Sequence, residues 1–212
     1  MKRKVKTKVK GFRTIDGAGV NLVRVLGNQT TKEFDPILML DSFDSINPDD
    51  YTAGFPMHPH RGIETISYVS RGKMVHRDSL GNEAGISDGE VQWMNSGSGI
   101  MHEEMVPAAE RLLQLWLNLP AKDKMSKPSY NSIKNEDIKE IEIEGGKIRL
   151  LAGKYGEHEG YKGDYLSMDY YDIHLNADAE VTLTMEEDDS VMVFTLLGDV
   201  YIDGEHIEEK TA

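Results

Sequence analysis

Phe55-Pro-Met-His-Pro-His-Arg-Gly-Ile-Glu-Thr-Ile-Ser-Tyr-Val69, read with Gly99-Ile-Met-His-Glu-Glu104, decides the fold. His58 and His60 stand two residues apart and run into a β-branched and aromatic segment that reads as a strand. Side chains alternate across a strand, so residues i and i+2 share a face, and both imidazoles point into one cavity. His102 and Glu104 repeat that spacing. Three imidazoles and a carboxylate suit a first-row divalent ion: iron, zinc, copper, nickel or manganese. A lone histidine is usually a surface or hydrogen-bonded residue, and one such pair is often only two polar strand positions. The second pair, fed by the glycine-rich turn Asn95-Ser-Gly-Ser-Gly99, shifts the reading to a metal site.

Two such strands separated by a hairpin have a cupin-like layout, and the motifs around them resemble a narrower family. His58-Pro-His-Arg-Gly-Ile-Glu-Thr-Ile-Ser-Tyr68, His76-Arg-Asp-Ser79, Val91-Gln-Trp-Met94 and Gly97-Ser-Gly-Ile-Met-His-Glu-Glu104 closely resemble the pirins. Leu115-Trp-Leu-Asn-Leu-Pro120 and Pro128-Ser-Tyr130 add to the likeness, which covers roughly residues 11 to 155 well and the remainder loosely. The resemblance implies an all-β bicupin, two small antiparallel barrels in one chain, with one mononuclear metal site in the first. It implies an Fe(II)-type ion, with Zn, Cu, Ni, Mn or Co as alternatives.

The fourth ligand has three contenders. Parity removes Glu103, which points away from His102. Glu64 keeps parity with His58 and His60, as in the general cupin motif. The pirin resemblance implies Glu104, which also shares a strand face with His102. The expected set is His58, His60, His102 and Glu104, with Glu104 doubling as a catalytic base. His76 and Asp78 form another same-face pair, read as a hairpin hydrogen bond in preference to a role behind the metal ligands.

Composition limits the function classes. The 212 residues suffice for one large or two small domains. A net charge of −13 argues against a broad nucleic-acid surface. With no cysteine, disulfides and thiolate sites are excluded. No apolar run approaches a membrane span, and the basic start Met1-Lys-Arg-Lys-Val-Lys-Thr-Lys-Val-Lys10 lacks the apolar core of a signal peptide. A cytoplasmic protein is expected, and the alternation of Val5, Thr7 and Val9 with lysines suggests a solvated strand.

Along the chain, residues 3–13 and 20–26 read as strands around Asp16-Gly-Ala-Gly19, and Ile37–Phe43 as a buried strand. Tyr51 to Met57 reads as a loop over the cavity, Arg71-Gly72 as a reversal, and Arg111 to Leu119 as a separate strand. Residues 1–125 are assigned to a metal-binding cupin domain and 126–212 to a partial second one. In the latter, Ile148–Leu151, Leu166–Leu175, Val181–Met185, Val191–Leu197 and Val200–Ile202 read as strands, with His174 facing solvent. Sliding the chain by 126 residues lays Gly198 on Gly72, Thr184 on His58 and Glu186 on His60, so the second unit lacks ligands. The counterpart of His102 would be position 228, beyond Ala212. The second barrel is therefore expected to be incomplete, through a shortened gene or chain. Its apolar face (Val191, Val193, Leu197) would be covered by the amino-terminal strands, by another subunit in self-association, or by nothing adequate.

Two function classes follow from the resemblance. One is a quercetin 2,3-dioxygenase-type enzyme that opens a flavonol ring with O2, using the metal and a carboxylate base. The alternative is a metal-dependent regulatory protein that binds transcription factors. A third reading, less favoured, is a cupin isomerase using the metal as a Lewis acid. Fold and metal site do not separate these classes.

Overall fold

Strands form where β-branched and aromatic stretches meet glycine turns, and the computed structural model describes residues 2–212. In chain order these are β1 (Phe12–Asp16), β2 (Val20–Leu26), β3 (Ile37–Phe43), β4 (Phe55–His60), β5 (Ile63–Asp78), β6 (Glu83–Ser87), β7 (Glu90–Asn95), β8 (Ile100–Asn118) and β9 (Ser129–Ile133). One helical turn, α1 (Thr31–Phe34), precedes β3, and a 3-10 turn at Pro48–Asp50 precedes β4. The nine strands make one sheet in the order β1-β2-β3-β8-β5-β7-β9, with β4 also on β8 and β6 also on β5. The chain is almost entirely β, and its paired strands run antiparallel.

Two long strands organise this sheet. β5 spans 16 residues and β8 spans 19, and they pair from Ile63↔Asn118 to Asp78↔His102. The expected reversal at Arg71-Gly72 is instead a set of register shifts between Val69 and Val75. Gly72 has φ +135°, and a Cβ there would overlap the Ala108 carbonyl oxygen. The glycine permits a bulge and a close strand approach, which bend the pair without ending it. The two segments expected as separate strands, around His102 and over Arg111–Leu119, are consequently one continuous β8.

The expected loop over Tyr51–Met57 also departs from the reading. Tyr51 is buried, and Phe55 opens β4 with its ring edge-on to Phe43 at 5.9 Å. Both join a core with Val20, Leu22, Val69, Met74, Ile86, Val106 and Leu112. Each such side chain taken fully from water contributes about 1.5–3 kcal/mol before entropy is set against it. The apolar cost of exposing Tyr51 and Phe55 explains why this segment packs.

Contacts divide the chain into two compact units. Residues up to Ser132 group with Met192–Ala212, and Ile133–Val191 form the other. The stretch expected as the end of a second domain thus packs with the first unit. There Val9 and Ala212 exchange backbone bonds of 2.8 and 3.0 Å, and Lys10 bridges Thr211. Lys8 and Lys10 pair with Glu205 and Glu208. Residues 3–11 carry the expected burial alternation but form no strand beyond that bridge.

The other unit contains β10 (Lys139–Ile143), β11 (Gly146–Ala152), β12 (Lys154–Tyr155), β13 (His158–Glu159) and β14 (Tyr170–Leu175). β10-β11-β14 form a three-stranded sheet and β12-β13 a short hairpin. Val181–Met185 and Val191–Leu197, expected as strands, are irregular. Their β-branched content favours extended backbone, but a strand also needs a neighbour for its N–H and C=O groups. Val193 and Leu197 are 43% and 57% exposed. In the first unit, β15 (Val200–Ile202) and β16 (Glu205–Ile207) form a hairpin. Among the described residues no helix is long and apolar enough to cross a membrane.

Candidate metal centre

β4 lies against the first residues of β8 with His58 directly opposite His102. That register, together with the two-residue spacing in β4, gathers three imidazoles. Ring centroids are 4.8 Å apart for His58–His60, 4.4 Å for His58–His102 and 4.9 Å for His60–His102. One nitrogen from each falls within 4.8 Å of the others. Arg61-Gly62, with Gly62 at φ +70°, then separates β4 from β5. The two histidines therefore sit on a short strand of their own.

The donors fit a metal ion. His58 Nε2 and His60 Nε2 approach to 3.1 Å. Two nitrogens bound at about 2.1 Å to one ion stand about 3.0–3.4 Å apart for angles between right-angled and tetrahedral. His102 is fully buried, and its Nε2 has no hydrogen-bond partner. A buried polar atom left unpaired costs about 1–3 kcal/mol, which ligation would remove. His58 Nδ1 lies 2.8 Å from the Pro56 carbonyl, so its proton has an acceptor there and Nε2 is left as the donor atom.

Electrostatics favour the neutral form of two of these rings, His60 and His102. Burial, reinforced by His58, pushes the His60 ring down to about 4. Burial also drives His102 far below the usual imidazole range, with His58 and His60 adding repulsion.

Glu104 is buried on the same face of β8 as His102, while Met101 and Glu103 face outward. Its nearest titratable neighbours are His76 and His102, with which it forms a second possible donor group. His102 is thus shared between two clusters. Glu104 Oε1 accepts from Gln92 Nε2 and, at 3.3 Å, from Ser67 Oγ. Gln114 Oε1 competes with Glu104 for the single Ser67 hydroxyl proton, and Tyr130 Oη donates to Gln92 Oε1 at 3.4 Å. Burial pushes the Glu104 carboxyl up to about 7 against the effect of the Ser67 and Gln92 bonds.

These polar partners escaped the sequence reading. Ser67 faces Gln92 on one side and Gln114 on the other, a row across three strands that only the register reveals. The signal available was a polar residue at a buried alternation position in each strand. Trp116, whose ring meets His60 edge-on at 4.9 Å, was likewise not singled out.

The other residues that the sequence marks as candidates fall outside the three-histidine cluster. Glu64 lies on a different strand from the one carrying His58 and His60, is buried, and accepts from Trp93 Nε1 at 3.1 Å. Glu103 meets Arg77 at 3.3 Å on the outer face. His174 is half-exposed and pairs with Asp172 at 2.7 Å. Met57, expected at the cavity mouth, is 49% exposed. An open depression of about 540 Å³ reaches the cluster at His60, lined also by Pro59, Arg61, Ser79, Ser98, Gly99 and Met101.

An antiparallel β fold with histidines converging from paired strands defines a cupin-type protein with a group that could hold a metal ion. Comparison with known proteins narrows this: the pirin family profile matches residues 19–117. A Pseudomonas aeruginosa protein provisionally named quercetin 2,3-dioxygenase is 42% identical over 204 residues, covering 92% of this chain and 72% of that one. Human pirin is 33% identical over 214 residues, with 98% of this chain and 71% of pirin covered. The crystal structure of a quercetin 2,3-dioxygenase from Acinetobacter baumannii superposes with a TM-score of 0.87 at 27% identity, covering 100% of this chain and 78% of that one. The chain belongs to the pirin family.

Proposed function

We propose that His58, His60, His102 and Glu104 hold one Fe(II)-type divalent ion and that the protein is an oxidoreductase opening a flavonol ring with O2. The observation that carries this is the buried, unpaired His102 Nε2 converging with His58 and His60 beside a carboxyl tuned near neutrality. Names of relatives in the same family support the substrate class. A bound ion with open positions supplies Lewis acidity and access to O2 chemistry.

The protein's own contribution is positioning and proton handling. The depression beside His60 falls within the size range of small-molecule sites and is where a substrate could approach the cluster. Glu104 is the group to take the flavonol hydroxyl proton, since a base works best with a pKa near the operating pH. Gln92 and Ser67 both bind Oε1, which leaves Oε2 to carry the proton.

O2 uptake by metal-loaded protein with quercetin and related flavonols tests this reading. Flavonol-dependent uptake that chelation abolishes is the expected result. A metal-replete protein that consumes no O2 with any flavonol, yet binds a protein partner only when metal is present, would establish the regulatory role instead.

A further inference from the structure

His76 and Asp78 form a row that ends on His102. His76 Nδ1 is 3.4 Å from His102 Nδ1, and His76 Nε2 is 2.9 Å from Asp78 Oδ2. All three residues are buried. The Tyr130 ring stacks on His76 at 4.2 Å and 17°, which fixes the plane of that imidazole. Asp78 is fixed more tightly. Its Oδ1 accepts from the Leu80 and Asn82 backbone N–H groups at 2.8 and 3.1 Å, and its Oδ2 accepts from Asn82 Nδ2 at 2.8 Å.

With both imidazoles neutral, one arrangement of protons satisfies every contact in this row. A carboxylate accepts and does not donate, so His76 must carry its proton on Nε2. The His76 Nδ1 is then an acceptor, and His102 must carry its proton on Nδ1. His102 Nε2, the nitrogen without a hydrogen-bond partner, is left with a lone pair to offer to the group that His102 forms with His58 and His60. We propose that Asp78 and His76 are positioning residues that lock His102 into its metal-binding tautomer. The inference rests on the metal centre proposed above, and it gives His102 the kind of partner that a backbone carbonyl gives His58.

Asp78→Asn tests the row with almost no change of shape. The new amide must keep its oxygen toward the two backbone N–H groups, which turns its NH2 toward His76 Nε2 and toward Asn82, whose own side-chain amide then flips to accept. His76 then has to protonate Nδ1, and His102 has to protonate Nε2, the metal-facing atom. The expected result is a 10- to 100-fold loss of cobalt(II) affinity by titration of the metal-free protein. Long-range 1H–15N spectra of the imidazoles in the same metal-free samples should move the His102 proton from Nδ1 to Nε2. A merely structural role for Asp78 would not cause that move.

His76→Asn and His76→Leu give a second test should the first variant fail to fold. Both lose the Tyr130 stack and leave a similar space. Only the asparagine keeps an acceptor near the Nδ1 position, so it should bind cobalt(II) at least tenfold more tightly than the leucine variant. Equal affinity in that pair, or parent-like affinity with an unmoved His102 proton in Asp78→Asn, overturns the relay while leaving the metal centre intact. A parent protein that binds no cobalt(II) overturns the metal centre, and the relay's purpose with it.

Discussion

β8 and β14 each carry a histidine two residues from a carboxylate, and the two pairs have opposite fates. In β8, His102 and Glu104 are 0% and 4% exposed, and neighbouring strands bring His58 and His60 against His102 and bring His76 against both. In β14, the His174 side chain is 50% exposed, and its ring nitrogen simply meets Asp172 Oδ2 at 2.7 Å. The spacing does the same thing in both strands: it places two polar groups on one face. What differs is the neighbour. β8 has strands on both sides that contribute further donors, whereas the β14 partner β11 sets Lys147 and Arg149 opposite His174 and Asp172. Spacing selects a face, and strand order decides whether that face becomes a site.

The largest expected effect comes from removing a donor in the first pair's surroundings. His60→Ala should abolish stoichiometric metal binding, read by elemental analysis, and should remove the rise in melting temperature that added metal gives the parent. Glu103→Ala, one residue from each of two functional positions but on the outer face, should keep full occupancy. Equal metal loss in both variants would show that strand face does not govern the site.

Next in size is the pH response of Glu104. Its carboxyl is raised from 4.5 to about 7 in the folded protein, so the fold binds more protons than the unfolded chain between those values. Stability from this group is therefore lost as pH rises through that window, and the penalty is complete above it. Glu104→Gln cannot ionise and keeps a carbonyl for Gln92 and Ser67. In chelator, the variant should gain on the parent by roughly 3 kcal/mol between pH 4.5 and pH 8. Denaturant midpoints measure this difference, and parallel pH curves for the two proteins would mean that the carboxyl is hydrated. The smallest effect belongs to β14. His174→Ala should leave metal content unchanged and alter stability by less than about 1 kcal/mol, as for other exposed pairs.

Much of the candidate site was legible because its residues obey local rules. The shared faces of His58 with His60 and of His102 with Glu104 follow from alternation within single strands, and the turn at Asp16–Gly19 from its glycines. What escaped was set by pairing over long sequence distances. Arg71-Gly72 has the composition of a turn, and only the approach of Ala108 shows why glycine is needed inside a continuous strand. Assigning Glu64 to the ligand strand failed because parity cannot be carried across the break at Gly62. Gln92, Ser67 and Gln114 meet through register, and Tyr130 meets His76 across a gap of 54 residues in the sequence, so no local pattern marks them. Val181–Met185 and Val191–Leu197 show the converse: strand-forming composition without strand pairing.

The bond between residues 9–11 and 210–212 has a consequence for the order of assembly. Closing a loop of about 200 residues carries an entropic cost that grows with its length, and contacts so distant in sequence form slowly. The pairing of His58 with His102 closes a much shorter loop. During synthesis His58 and His102 can therefore meet while the closing segment is still inside the ribosome, leaving the amino-terminal lysines in water until Glu205, Glu208 and the residues after them emerge.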